Sequence, residues 1–128
     1  MTPSTPLVGL LYNPAVPLVL DVLGARVDFV EVIPDRLWYD FGTESGRHRF
    51  SHSTAVIDEL KRYASDRAVI GHGIGLSLPS DISLDEALLD EVVGSHRHLD
   101  YAWYSEHLSR FLVCIDCDRR FLALTLVY

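Results

Sequence analysis

The chain has 128 residues, enough for one modest domain with its own core. A hydrophobic fraction of 48% with 23% charged residues excludes a disordered chain. A net charge of −7 without a basic stripe argues against nucleic acid or an anionic membrane as partner.

In chain order, Met1-Thr2-Pro3-Ser4-Thr5-Pro6 is a short lead without a basic residue or a long apolar core, so no signal peptide is read. Leu7 to Tyr12 is an apolar run of strand length. Asn13-Pro14 then offers a cap and a first-turn proline, and Val16, Val19, Leu20 and Leu23 recur at helical spacing before Gly24. Val27 to Ile33 is a β-branched second strand ended by Pro34. Residues 34–50, with Trp38, Tyr39, Asp40, Gly42 and Gly46, read as a long loop of the kind that carries function. From Ser53 to Ala64 the spacing of Ala55, Val56, Leu60, Tyr63 and Ala64 predicts a helix.

Ala68 to Gly71 is a third strand, broken by the glycine-rich stretch Gly71-His72-Gly73-Ile74-Gly75. Glycines on both sides of His72 let the backbone approach a ligand and free the imidazole to point into a site. Ser83 with Glu86 three residues later is a capping box, and Leu84, Ala87, Leu88 and Val92 predict a third helix that fades by Gly94. His96 and His98 fall in the connection that follows, and Leu99 to Tyr104 is a fourth strand with Ser105-Glu106-His107-Leu108 at its end. In the tail, residues 111–128, two apolar runs form a hairpin or a fifth strand.

Three strand–helix repeats and a fourth strand predict a single α/β domain over 1–128, built of parallel βα units. The apolar strands suit a sheet buried on both faces. A barrel and an open doubly wound sheet are both compatible with the pattern. A full barrel needs about 250 residues, roughly twice this length.

Sites in such folds form at the carboxyl ends of the strands. Asn13, Glu31, Asp35, His72, Glu106 and His107 all lie there. Imidazole and carboxylate together suit iron, zinc or manganese. Each residue also has a plainer reading. Glu31 has Arg26 and Arg36 as candidate ion-pair partners, Glu106 is a candidate cap of a following helix, and Asn13 and Asp35 are candidate caps. His48, His52, His96 and His98 read as loop residues. Cys114 and Cys117 make one Cys-x-x-Cys without a second pair, a weak metal or redox signal, and so few cysteines fit a reducing cytoplasm.

The segments His72-Gly73-Ile74-Gly75-Leu76-Ser77 and Tyr104-Ser105-Glu106-His107-Leu108 resemble those of the multinuclear non-heme iron-dependent oxidative enzymes. Gly9-Leu10-Leu11-Tyr12-Asn13-Pro14, Val30-Glu31-Val32-Ile33-Pro34-Asp35 and Leu122-Ala123-Leu124 fit the same family in register. The resemblance implies a TIM barrel holding two or three iron ions, which uses dioxygen to modify cysteine or other residues of ribosomally made peptides. It also implies a substrate peptide and a protein that presents it. Carried over, His72 and His107 match iron ligands, and Glu31 and Glu106 lie in matching segments as candidate catalytic carboxylates. Barrels of the family continue well past this length, so the resemblance implies about half of one: a truncated copy, a half-barrel closed by a second copy or another chain, or a smaller sheet with a mononuclear site. The alternatives are a partner-binding domain without metal, and a metal-dependent isomerase or hydrolase with Glu106 as general base.

Overall fold

The computed structural model describes residues 5–44, 48–76 and 84–107, and the backbone of two further strands, Val113–Asp116 and Arg120–Leu122. The elements are β1 (Gly9–Leu11), α1 (Val16–Leu23), β2 (Phe29–Val32), β3 (Trp38–Asp40), β4 (Phe50–His52), α2 (Thr54–Ala64), β5 (Ala68–Gly73), α3 (Glu86–Leu99), β6 (Trp103–Glu106), β7 (Val113–Asp116) and β8 (Arg120–Leu122). Strands β1, β2, β5 and β6 form one parallel sheet in that order, so chain order and spatial order coincide. No closed barrel forms among the described residues. No helix among them is long and apolar enough to cross a membrane.

The period of two along each strand divides the sheet into two unlike faces. Leu10, Val30, Val32, Val69 and Tyr104 point to one side, where Val16 and Leu20 of α1, Leu60 of α2 and Leu99 of α3 pack on them. Val30 and Leu60 are 0% exposed. The other face carries Leu11, Phe29, Glu31, Ile70, His72, Trp103 and Ser105, by the register Leu11↔Glu31, Glu31↔Ile70, Ile70↔Trp103 and His72↔Ser105. Leu11 is 44% exposed there and Trp103 56%. The sheet is therefore buried on one face rather than two, because all three helices contribute their apolar stripes to the same core.

Four local expectations are corrected. Residues 34–50 are not a plain loop: a 3-10 turn at Pro34–Arg36 leads into a two-stranded antiparallel hairpin of β3 and β4. Arg49 ties that hairpin to the start of α3, reaching Asp40 at 2.8 Å and Asp85 at 2.6 Å. The third helix does not fade at Gly94 but runs to Leu99, so His96 and His98 lie on its last turns. Its N-cap is Asp85, whose carboxylate accepts from the Leu88 N–H; Ser83 lies outside the described residues. Asp100, at φ 48°, ends the helix in the left-handed region, and the fourth parallel strand starts only at Trp103. In the tail, β7 and β8 pair antiparallel as a separate sheet.

Candidate functional site

The carboxyl ends of β5 and β6 carry the site. The His107 N–H donates to the Gly73 carbonyl at 3.0 Å, extending the parallel ladder one residue past β6. This fixes His107 beside His72, with ring centroids 4.6 Å apart and planes at 89°. Ser105 lies opposite His72 in the register, and its hydroxyl is 2.9 Å from His72 Nδ1. Glu31, on β2, brings Oε1 to 3.6 Å from the same nitrogen. So His72, His107, Ser105 and Glu31 share the face that the helices leave uncovered. With Nδ1 turned toward Ser105 and Glu31, the second ring nitrogen of His72 is the one left for a ligand, as in histidines whose other nitrogen is held by a hydroxyl or carboxylate. The partner of Glu31 is thus His72, and neither Arg26 nor Arg36 pairs with it among the described residues.

Glu106 is on the other side of the sheet, which corrects its grouping with the two histidines. Strand residues alternate, so Glu106 cannot follow Ser105 and precede His107 on one face. Its carboxylate accepts a hydrogen bond from the Tyr104 hydroxyl at 2.7 Å, and its other oxygen is buried without a partner among the described residues. Burial pushes its pKa above the usual carboxylate range, and the negative charge of Asp35 adds to the shift. Burial and the bond to Glu106 likewise raise the Tyr104 phenol.

The glycines have a different role from the one expected. A β-carbon on Gly73 would collide with the Tyr104 hydroxyl and the Glu106 carboxylate, and one on Gly75 would collide with the Asp35 carboxylate. Asp35 accepts from the Ile74 N–H at 3.0 Å. The missing side chains make room for acids from two neighbouring elements to brace the turn after His72, rather than for a ligand on the histidine face. Asp35 is therefore more than a local cap. Asn13 does cap locally: its side chain accepts from the Ala15 N–H at 2.9 Å, while α1 starts later, at Val16. Residues sequence reasoning passed over are Ser105, Tyr104 and Arg49. Ser105 carries a readable signal, since it lies two positions before His107 and period two places both on one face.

The remaining histidines stand apart. His52 pairs with Glu91 at 2.5 Å on the outer surface, and His48, His96 and His98 are exposed. Cys114 lies in β7, and Cys117 lies outside the described residues.

Two imidazoles with a nearby carboxylate are the donor types that iron accepts. The donor types fit, but the set is short: among the described residues, no three or more His, Cys, Asp or Glu side chains are gathered as a metal site.

No curated protein matches the chain. A family model, RiPP precursor modification enzyme MbnB/TglH/ChrH, matches residues 8–114. That span holds all four strands of the parallel sheet, both histidines, Glu31 and the glycine-rich turn. It also agrees with the resemblance carried by the His72 and His107 segments. The chain belongs to the MbnB/TglH/ChrH family of RiPP precursor modification enzymes.

Proposed function

We propose that the chain serves iron-dependent oxidation of a ribosomally made peptide, with His72 and His107 as metal ligands. The observation that carries the reading is the pairing of these two imidazoles, from separate βα units, 4.6 Å apart on one open face. The sheet supports a partial TIM barrel: its strands run in sequential order without the reversal of a doubly wound sheet, and its helices line one face only. In that architecture the open face would be the barrel interior.

Iron held there would supply oxidation of a substrate thiol, with dioxygen as the electron acceptor. The chain's own residues have simpler tasks. Ser105 and Glu31 fix the ring of His72 through Nδ1. Glu31 is also near enough to complete a ligand set or to take a proton from a substrate thiol at the same face. Glu106 and Asp35 brace the turn that carries His72 and stay on the helix side. Closing the exposed Leu11 and Trp103 face falls, in this reading, to a second half-barrel, either another copy or another chain.

The competing reading is a partner-binding domain without metal. One observation favours it: the described residues gather no three-ligand set. A spectroscopic test decides between them. Protein loaded anaerobically with ferrous iron and then given nitric oxide, a dioxygen surrogate, is expected to show a high-spin iron–nitrosyl signal by electron paramagnetic resonance. The double variant His72→Ala, His107→Ala is expected to show none. A wild-type sample without the signal refutes the iron reading. A metal-dependent isomerase or hydrolase would instead turn over under strict anaerobiosis.

A further inference from the structure

A cavity of about 200 Å³ opens beside the site, between the ends of β1 and β2 and the start of α2. Tyr12, Pro14, Val32, Ile33 and Val56 form its apolar walls, and Arg36 stands with them at its edge. A cavity of about 150 Å³ accepts a benzene ring, so this one has room for a Phe or Leu side chain. Tyr12 is held in place at both ends: its N–H donates to the Glu31 carbonyl at 2.7 Å, and its hydroxyl donates to Glu59 of α2. Burial and that bond keep the phenol neutral well above ordinary pH. One wall is therefore rigid and apolar before any ligand arrives. Arg36 is exposed and enters none of the ion pairs among the described residues, on a chain of net charge −7.

The cavity belongs to the same strand end as the histidines. Glu31 lies 3.6 Å from His72, and Val32 and Ile33 are the next two residues of the chain. At about 3.3 Å per strand residue, the cavity wall starts within about 7 Å of Glu31 along β2. Val32 faces the helix side and Glu31 the histidine side, so a peptide that reaches both passes over the carboxyl ends of the strands rather than along one face.

From this geometry we infer that the cavity is a substrate subsite: it takes an apolar side chain of the peptide, and Arg36 selects an acidic residue next to it. The inference rests on the peptide-modifying reading but not on iron. It adds a sequence rule for the substrate, an apolar–acidic pair near the modified position.

The test uses metal-free protein and three probes, the N-acetylated amides of Phe-Asp, Phe-Asn and Phe-Lys, followed by amide chemical shifts in ¹⁵N-labelled protein. Shifts are expected at residues 12, 32, 33, 36 and 56, with Phe-Asp bound about two- to fivefold more tightly than Phe-Asn, the range of an exposed ion pair. Arg36→Glu, at an exposed position, is expected to reverse the order so that Phe-Lys binds best. Shifts elsewhere on the chain, no saturable shifts at all, or the same affinity for all three probes would overturn the proposal. Because no iron is present, these results stand apart from the iron–nitrosyl result: either reading can fail alone.

Discussion

Gly73→Ala probes the packing that holds the site together. The added methyl group would occupy space that the Tyr104 hydroxyl and the Glu106 carboxylate already fill, and those two groups are bonded to each other at 2.7 Å. Neither is free to swing aside cheaply: Tyr104 packs against the core, and Glu106 is half-buried. Overpacking of this kind costs about 1–3 kcal/mol. For a chain of this size, each kcal/mol moves Tm by roughly 3–6 °C, so a fall of roughly 3–18 °C is expected. Gly94→Ala is the internal control. It lies mid-helix in α3 with nothing near its β-carbon position, so it is expected to stabilise by about 0.5–1 kcal/mol. The two substitutions are chemically identical and opposite in sign. Removing the hydroxyl in the double variant Gly73→Ala, Tyr104→Phe is expected to recover part of the loss, a coupling read directly by a double-mutant cycle. Calorimetry on the five proteins (the parent, Gly73→Ala, Tyr104→Phe, their double variant and Gly94→Ala) provides the numbers. If Gly73→Ala melts at or above the parent, or Tyr104→Phe restores nothing, the account of the glycine-rich turn is wrong.

Other outcomes follow from the same geometry. Leu60→Ala removes a side chain with 0% exposure from the centre of the core and is expected to cost about 2–5 kcal/mol in urea unfolding. Hydrogen bonds from Arg49 hold the Asp40 and Asp85 carboxyls below their usual range. A depressed folded-state pKa contributes stability above the unfolded value of about 3.9, and this is lost as pH falls through the folded values. Arg49→Gln is therefore expected to be less stable than the parent at neutral pH, and the gap is expected to close as the pH of the urea melts falls below the unfolded carboxylate value of about 3.9 and through the lower folded values. Both carboxylates are more than a third exposed, so the gap at neutral pH is expected to stay near about 1 kcal/mol. Ser105→Ala frees Nδ1 of His72 and is expected to weaken iron binding about tenfold or more in a ferrous-iron titration, with little change in Tm.

Much of this fold is legible in the sequence because its strands and helices follow strong periodicities. Val30, Val32, Leu60 and Val69 announce the core, and the ends of the β5 and β6 segments announce where His72 and His107 come together. The β3–β4 hairpin is not legible, because its strands are three residues each and its pairing partner for Trp38 is His52, across a fourteen-residue gap in number. The overrun of α3 past Gly94 has a similar origin: one glycine inside a helix costs about 1 kcal/mol, which the packing of Val92 and Leu99 on either side outweighs. Glu106 groups with the histidines only when a strand end is treated as a point. A strand end is a pair of faces, and the odd–even rule sends Glu106 to Tyr104 and Asp35 while His107 joins His72. The same rule read forward would have picked out Ser105.

Native mass and metal content measured together on anaerobically purified protein test the central claim most directly, that residues 72 and 107 hold iron in common. At least one iron per chain, lost in the folded double alanine variant, is the result this account expects. Wild-type protein with background iron after ferrous loading, or a double variant that retains the metal, would contradict it.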